Sequence, residues 1–293
     1  MHQNLQAACT QLISQEDLHI DETIAQNLQA KSFAALIGGD AEAYIKLYSD
    51  KQLALSDILP VIANYGLRVS TEVSLVTQLE QKEIYISKFK LDLHEFSLIK
   101  RHEKNIIESL LAVLQEKKFE SCKLFRLIYT EDFCARGVLL FRTLVHYENQ
   151  LVAEFNTNHI IDTLIKYHTI SKIFLDYFDH KFAPDTQKRA EKIVESSMAL
   201  NEAFKEIDNS DEDRILKLFF AILENIVRTN YYLERESIAI KMDTRALKPY
   251  LSGIQPNIET FVYNNTFRGL HLRMDPVSRG GLRYSSRHDD YRT

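Results

Sequence analysis

The clearest helix in the sequence reads SDEDRILKLFFAILENIV and runs from Ser210 to Val227. Its apolar side chains recur at helical spacing on one face: Ile215, Leu218, Phe219, Ile222, Leu223, Ile226 and Val227. Ser210 followed by Asp213 resembles a capping box, and an acidic first turn suits the helix dipole. The longer stretch from residue 93 to residue 245 contains only two helix breakers, Gly137 and Pro184. It therefore predicts a run of successive helices.

A different pattern precedes these helices. The predicted elements follow in order: a strand at 44–48, a short helix at 58–65 that Gly66 ends, and extended stretches at 67–79 and 83–93. In the last stretch, Ile84 and Ile86 have the opposite parity to Phe89 and Leu91, which predicts a bulge near residues 87–88. A strand, a helix, two strands and a further helix resemble a small ferredoxin-like unit of the amino-acid-sensing ACT type.

The last 45 residues change character again, because three of the five prolines and four of the eight glycines lie there. Strands are predicted at 258–263, 269–274 and 281–284, with a turn at Asp275-Pro276. We expect these strands to lack sheet partners, so that residues after about Tyr250 are partly disordered or paired with a neighbouring chain. The predicted fold class is α+β and mainly α-helical.

Composition excludes several classes of protein. Hydrophobic residues make up 45% of the 293 positions and charged residues 26%, which excludes a mainly disordered chain. The eight glycines form neither a G-x-G-x-x-G turn nor a phosphate-binding loop. The ten histidines show no metal-binding spacing, and the three cysteines, with no C-x-x-C pair, fit a reducing cytosol. With no signal core and no long apolar run, we expect a soluble, cytoplasmic protein without membrane contact.

Charge is unevenly placed along the chain. Residues 268–293 carry six arginines and three aspartates, a net +3, whereas the remainder carries −8 and the whole chain −5. This arginine-rich tail raises the possibility that the chain binds nucleic acid. The tail is short and the rest of the chain is acidic, so we expect no nucleic-acid partner.

The segment richest in candidate chemistry is RGGLRY, residues 279–284. Gly280 and Gly281 allow close approach of the backbone to a ligand, and Arg279 and Arg283 can bind a carboxylate or phosphate through two hydrogen bonds. The same residues also suit a tight hairpin whose arginines face solvent or RNA. Chemistry alone leaves both interpretations open.

The terminal segment resembles the entry to the catalytic domain of the large bacterial NAD-specific glutamate dehydrogenases. The residues that carry this resemblance are FVY at 261–263, RGLHLR at 268–273, PVSRGGLRYS at 276–285, and Arg287 and DYRT at 290–293. Weaker similarity comes from LSDILP at 55–60, YGLRV at 65–69, DEDRIL at 211–216, RTN at 228–230 and KMD at 241–243. Together these cover about residues 43–293 in the family's order.

The resemblance implies an enzyme that converts L-glutamate, NAD and water to 2-oxoglutarate, ammonia and NADH. In the smaller glutamate dehydrogenases, a lysine before two glycines holds a substrate carboxylate. By position Arg279 takes that role, Gly280 and Gly281 let the backbone approach the substrate, and Arg283 braces the site. No catalytic residue is assigned. Ser286 stands where the large family usually has an aspartate, which puts any role of that carboxylate in doubt.

The same resemblance places the catalytic lysines and the dinucleotide-binding domain beyond Thr293. We therefore expect an internal fragment of a larger enzyme, inactive alone, binding no NAD itself and forming a homo-oligomer. The expected organisation is an N-terminal helical segment (1–40), an ACT-like unit (41–95), a helical region (96–245) and the truncated start of the catalytic domain (246–293). The alternative is a stand-alone helical regulatory or oligomerisation module in which the ACT-like unit senses an amino acid or binds a partner surface.

Overall fold

The chain divides into two compact units, residues 1–134 and 135–293. The computed structural model describes residues 21, 23–24, 33–38, 43–79, 82–92, 96–152, 154–251, 256–274 and 281–285. The side chains of 33, 79, 82, 96–98 and 281–285 are not among those described.

The first unit contains a four-stranded antiparallel sheet in the order β1-β2-β4-β3. Its strands are β1 (Phe33–Gly38), β2 (Tyr44–Ser49), β3 (Val69–Leu79) and β4 (Lys82–Leu91). Its helices are α1 (Leu55–Asn64), α2 (Phe96–Arg101), α3 (Glu103–Leu114) and α4 (Arg126–Glu131), with a 3₁₀ turn at Lys123–Phe125. Gly66 ends the α1 turn with φ of +81°, a conformation that a side chain disfavours.

Both faces of this sheet are covered. On one face Ile45, Leu47 and Phe89 are buried, and helices α1 and α3 pack against the sheet through β3 and β1. On the other face Tyr48, Ile84 and Ile86 form a cluster, against which Ile24, Ala34, Leu36 and Leu75 pack. Apolar residues of both parities are therefore buried in one strand.

This double burial corrects the predicted bulge near residues 87–88. The pairing of β4 with β2 is continuous, and the irregularity in its pairing with β3 lies between Val69 and Thr71. The change of apolar parity along β4 arises because its first half contributes to one covered face and its second half to the other. A second correction concerns residues 1–40, predicted to be helical. Residues 21, 23 and 24 are helical, but Phe33–Gly38 forms strand β1 and pairs with β2.

The second unit begins with five helices. They are α5 (Ala135–Leu151), α6 (Thr157–Lys166), α7 (His168–Phe182), α8 (Arg189–Ala203) and α9 (Ser210–Asn225), with a 3₁₀ turn at Phe204–Glu206 after α8. Aromatic rings join these helices: Phe174 of α7 lies 5.1 Å from Phe219 of α9, centroid to centroid, and Phe141 of α5 lies 5.2 Å from Phe219. The cap of α9 is Asn209, whose Oδ1 accepts from the amides of Asp211 and Glu212. The predicted Ser210–Asp213 capping box was wrong by one residue.

A five-stranded antiparallel sheet follows, in which each strand pairs with the next along the chain. Its strands are β5 (Ile226–Thr229), β6 (Ile238–Asp243), β7 (Ile258–Tyr263), β8 (Arg268–Arg273) and β9 (Gly281–Ser285). Two further 3₁₀ segments, Tyr231–Leu233 and Thr244–Tyr250, flank β6. The three strands predicted after residue 256 are thus confirmed within a residue or two.

Two expectations about this sheet were wrong. Ile226 and Val227 do not extend α9, because the helix ends at Asn225 and the chain enters β5 directly; Val227 is exposed. Strands β5 and β6 also lie in the stretch predicted to be wholly helical. They supply β7 with a partner inside the chain. The expectation that β7 to β9 lack sheet partners was therefore wrong.

Within the described residues, no helix combines the length and the apolar character that crossing a bilayer requires.

Candidate functional site

Helix α5 packs against strands β6 and β7 of the second sheet. Along β7, Glu259, Phe261 and Tyr263 are buried and alternate with half-buried residues. Opposite them on β6 stand Met242, Ile240 and Ile238, all fully buried. Since directly opposed residues share a face, this face of the sheet is an apolar layer that contains one acid, Glu259.

That acid is held by a tyrosine of α5. The hydroxyl of Tyr147 donates to Oε2 of Glu259 at 2.7 Å, and both residues are buried. The Tyr147 ring also lies 5.5 Å from the Phe261 ring. A hydrogen bond to a carboxylate in such surroundings is stronger than one in water, so the pair fixes α5 against β7.

A second contact between the same elements lies at Tyr263, four residues along the strand from Glu259. The imidazole of His146 stacks on the ring of Tyr263 with centroids 4.9 Å apart. The guanidinium of Arg142, one helical turn earlier, lies 5.9 Å from the same ring. Helix α5 is therefore anchored to β7 at both ends of the strand.

Glu148, next to Tyr147 on α5, is also fully buried. Neither of its carboxylate oxygens has a hydrogen-bond partner among the described residues. Burial raises the pKa of Glu148 well above the usual value of a glutamate. Burial thus favours the uncharged form of this acid relative to a glutamate in water.

The sheet register connects Glu259 to the predicted substrate segment. Glu259 pairs with Leu272 on β8, and Leu272 pairs with Gly281 on β9, so the three residues form one row across the sheet. Two strand spacings separate the ends of this row, about 10 Å. In the next row, Phe261 pairs with Leu270, and the backbone of Arg283 lies opposite Leu270. Arg279 and Gly280 lie outside the described residues.

The topology of the two sheets and the grouping of polar side chains bear on which ligands the described residues could hold. Both sheets are antiparallel throughout the described residues, so these residues offer no parallel strand–helix–strand unit of the kind that holds a dinucleotide. The glycine pattern of the sequence likewise contains no G-x-G-x-x-G turn. Among the described residues no three histidine, cysteine or acidic side chains are grouped to hold a metal ion.

Tyr147 and Glu259 were not singled out from the sequence. A signal for Glu259 exists, because it shares strand parity with Phe261 and Tyr263 and is the acid on an otherwise apolar face. No comparable signal exists for Tyr147, which falls among apolar helix positions and lies 112 residues from its partner.

Models of glutamate dehydrogenase domains match three segments of the chain. Residues 28–103 match the glutamate dehydrogenase ACT3 domain, and residues 119–184 match glutamate dehydrogenase helical motif 3. Residues 199–293 match the catalytic domain of bacterial NAD-glutamate dehydrogenase. The chain belongs to the bacterial NAD-glutamate dehydrogenase family. The ACT3 match spans all four strands of the first sheet, which confirms the ACT-like unit and the α+β, mainly helical fold class.

Curated glutamate dehydrogenases are similar over most of the chain. An NAD-specific glutamate dehydrogenase of Pseudomonas aeruginosa is 29% identical over 89% of the chain. Enzymes of the same name from Halomonas elongata and Mycobacterium tuberculosis are 28% and 27% identical, each over 82% of the chain. The chain spans 17%, 15% and 16% of the lengths of these three relatives. Within this chain, the Tyr147–Glu259 bond joins the helical-motif match to the catalytic-domain match.

Proposed function

We propose that this chain is part of an enzyme that oxidises L-glutamate to 2-oxoglutarate and ammonia, with hydride passing to NAD. The observation that carries the proposal is the catalytic-domain match over residues 199–293, preceded in order by the ACT3 and helical-motif matches. The chain would contribute regulatory or assembly helices and one edge of the substrate site. We propose that it is a fragment, inactive by itself, and that the parent is a cytoplasmic homo-oligomer.

The substrate edge is assigned to Arg279, Gly280, Gly281 and Arg283. Arg279 would bind a carboxylate of glutamate through two parallel hydrogen bonds, and Arg283 would brace it. The glycines would let the backbone approach the substrate. The row that ends in Gly281 supports this assignment, because it links the segment to a buried and firmly held part of the sheet.

NAD is assigned to the parent enzyme and not to this chain. A dinucleotide would supply the hydride acceptor in the reaction. The described residues lack the parallel unit that would hold it, so this chain's part is to bind and orient glutamate.

The proposal is tested in the complete gene product, by the steady-state rate of glutamate-dependent NAD reduction. Arg279→Ala removes both hydrogen bonds and should lower kcat/KM for glutamate by at least roughly 10- to 150-fold, which corresponds to about 1.5–3 kcal/mol for one charge-assisted bond. Arg279→Lys should recover part of the loss. The matched control is Arg228→Ala, which removes an exposed arginine from β5 and should leave both constants unchanged.

Two results would count against different parts of the proposal. Unchanged KM and kcat in Arg279→Ala would refute the substrate assignment but not the activity. No glutamate-dependent NAD reduction by the complete wild-type product would refute the activity and favour the regulatory module.

Sequencing the gene beyond the codon for Thr293 is the first step. A continuing frame with further lysine-bearing strands and a glycine-rich strand–turn–helix would favour the fragment.

A further inference from the structure

Strand β3 lies at one edge of the first sheet and is its longest strand. It has 11 residues, whereas β1 at the opposite edge has six. Among the described residues β3 pairs with β4 alone. In an antiparallel strand with one neighbour, the backbone N–H and C=O groups of every second residue point away from the sheet. A long row of such groups is therefore available to a further strand.

The sequence of β3 does not protect this edge. Natural sheets protect an edge strand by keeping it short, by lysine or proline, or by a bulge that twists it away. β3 reads VSTEVSLVTQL, with no lysine, arginine or proline and with Glu72 as its charged residue. Its irregularity lies at its start, between Val69 and Thr71, so residues 71–79 run regularly along the edge. Valine and threonine, which favour strands, fill five of the 11 positions.

Helix α1 presents apolar side chains beside the same edge. It contacts the sheet through β3. Leu55 and Leu59, one turn apart on the helix, are 42% and 38% exposed. Asn64 lies half a turn around the helix from Leu55, and it donates to the hydroxyl of Ser121 at 2.9 Å. The two leucines are therefore on the flank of α1 that this later segment leaves uncovered.

Val76 on β3 extends this apolar surface. Glu72 pairs with Phe89, which is buried on the face where α1 and α3 pack, and Val76 has the same parity as Glu72. Val76 therefore points to the face that α1 covers, and it is 55% exposed. Strand β3 with Leu55, Leu59 and Val76 is called the β3 margin below.

Charge is sparse along the β3 margin. Helix α1 has 10 residues and β3 has 11, and Asp57 and Glu72 are the charged residues among these 21. At the chain's average of 26%, about five charged residues would stand there. Depletion of charge around exposed apolar side chains is typical of the core of a protein interface. The β3 margin therefore fits a protein partner better than solvent.

A second copy of the same strand fits the β3 edge. A two-fold axis perpendicular to the sheet at Ser74 makes the two strands antiparallel and sets Val73 against Leu75. Glu72 of each copy then meets Val76 of the other, so no like charges are directly opposed. Both α1 helices lie on the same face of the joined sheet, where the exposed leucines of one copy cover those of the other.

We propose that the β3 margin is the surface through which a second copy of this chain binds, with β3 of one copy antiparallel to β3 of the other. The strands supply main-chain hydrogen bonds, and Leu55, Leu59 and Val76 supply the apolar contacts. This surface rests on the homo-oligomer proposed above and not on the proposed dehydrogenase activity.

The test is sedimentation equilibrium of the whole 293-residue chain, for which we expect a reversible dimer. Val76→Glu sets a carboxylate opposite Glu72 of the other copy, and the symmetry repeats the repulsion, so the dissociation constant should rise about 10-fold or more. Val76→Lys sets an ammonium opposite the same carboxylate and should weaken the dimer less. Leu59→Glu should also raise the dissociation constant. The matched control Met198→Glu, at a 67% exposed position of α8, should change nothing.

Amide hydrogen exchange of the wild type keeps the proposal open to refutation if a variant fails to fold. Exchange at residues 71–79 should be slow in the dimer and should accelerate on dilution, whereas exchange in β4, which has a neighbour on both sides, should not respond. A chain that is monomeric at about 100 μM would overturn the proposal. Exchange that is slow at every concentration would assign the edge to a segment of the same chain and would overturn it too. A dimer that Val76→Glu and Leu59→Glu leave equally stable would refute this surface, but not the proposed homo-oligomer.

Discussion

The hydroxyl of Tyr147 and the carboxylate of Glu259 lie 2.7 Å apart and join two parts of the chain that are 112 residues apart in sequence. Tyr147 belongs to the helical-motif match and Glu259 to the catalytic-domain match. The bond therefore makes the packing of the helices and the position of the sheet interdependent. The row of paired residues that contains Glu259 continues through Leu272 to Gly281. A substitution at Tyr147 therefore acts only two strands away from the proposed substrate edge.

Loss of this bond should destabilise the second unit. Tyr147→Phe removes the donor and leaves a buried carboxylate oxygen without it, which should cost about 1–3 kcal/mol of unfolding free energy. Urea unfolding followed by far-ultraviolet circular dichroism measures the change. Tyr250, a residue that is 42% exposed, provides the matched control Tyr250→Phe, which should stay within about 0.5 kcal/mol of wild type. Equal effects of the two substitutions would contradict the role given to the bond.

Glu148 predicts an unusual dependence of stability on pH. Burial raises the pKa of Glu148 in the folded state. At a pH between the pKa of the unfolded state and that of the folded state, the unfolded chain has released the proton, whereas the folded chain still holds it. Stability is then fully present at low pH and falls by about 1.4 kcal/mol per pH unit as pH rises toward the folded-state pKa. Glu148→Gln should remove this loss, and it should be more stable than wild type at about pH 7.5 but not at about pH 4. If the difference in unfolding free energy between the two proteins were the same at both pH values, this prediction would be wrong.

Lys181 should titrate far below an ordinary lysine. Its ammonium donates to the carbonyl oxygens of Leu223 and Glu224 at the end of α9, and burial lowers its pKa to about 8. Acetylation by a trace of anhydride, quantified by mass spectrometry at rising pH, should show a midpoint near this value instead of about 10.4. Between these two pH values the unfolded chain binds more protons, so the lysine's contribution to stability rises with pH. A midpoint above about 10 would contradict its burial.

Arg189 should stabilise the end of α7. Its guanidinium donates to the carbonyl oxygens of His180 and Lys181, which lie in the last turn of the helix and find no partner within it, and to that of Ala183 just after the helix. Arg189→Met keeps the apolar stem but removes the donors, and we expect a loss of about 1–3 kcal/mol in urea unfolding. Arg228→Met on β5 should have little effect. A loss of less than about 0.5 kcal/mol would mean that water satisfies these carbonyl groups equally well.

Periodicity predicted most of the regular structure, and its errors share a cause. The spacing of Ile222, Leu223, Ile226 and Val227 continues the helical pattern across the point where α9 ends, because two apolar residues at the start of a strand can mimic a last helical turn. Strand β1 was missed because the apolar run FAALIG is short enough to suit either period. Local pattern cannot decide such cases, since the partner strand supplies the decisive interactions.

The candidate site was less accessible to sequence reasoning. The RGGLRY segment could be singled out because glycines and arginines have specific chemical uses. Tyr147 could not, because a tyrosine among apolar helix positions gives no sign of its bond to Glu259, 112 residues away. Contacts between distant residues depend on topology, which apolar spacing does not encode.

The first unit extends past the start of the helical-motif match. The ring of Phe125 lies 5.2 Å from that of Tyr65, and the division between the units comes at residue 134, inside the match to residues 119–184. A gene fusion or excision that followed the motif boundary would separate Phe125 and α4 from the ACT-like unit and leave Tyr65 without its neighbour. An ACT-like unit expressed by itself therefore has to include the first residues of the helical-motif match. The boundary between the family matches and the boundary between the compact units fall at different residues of this chain.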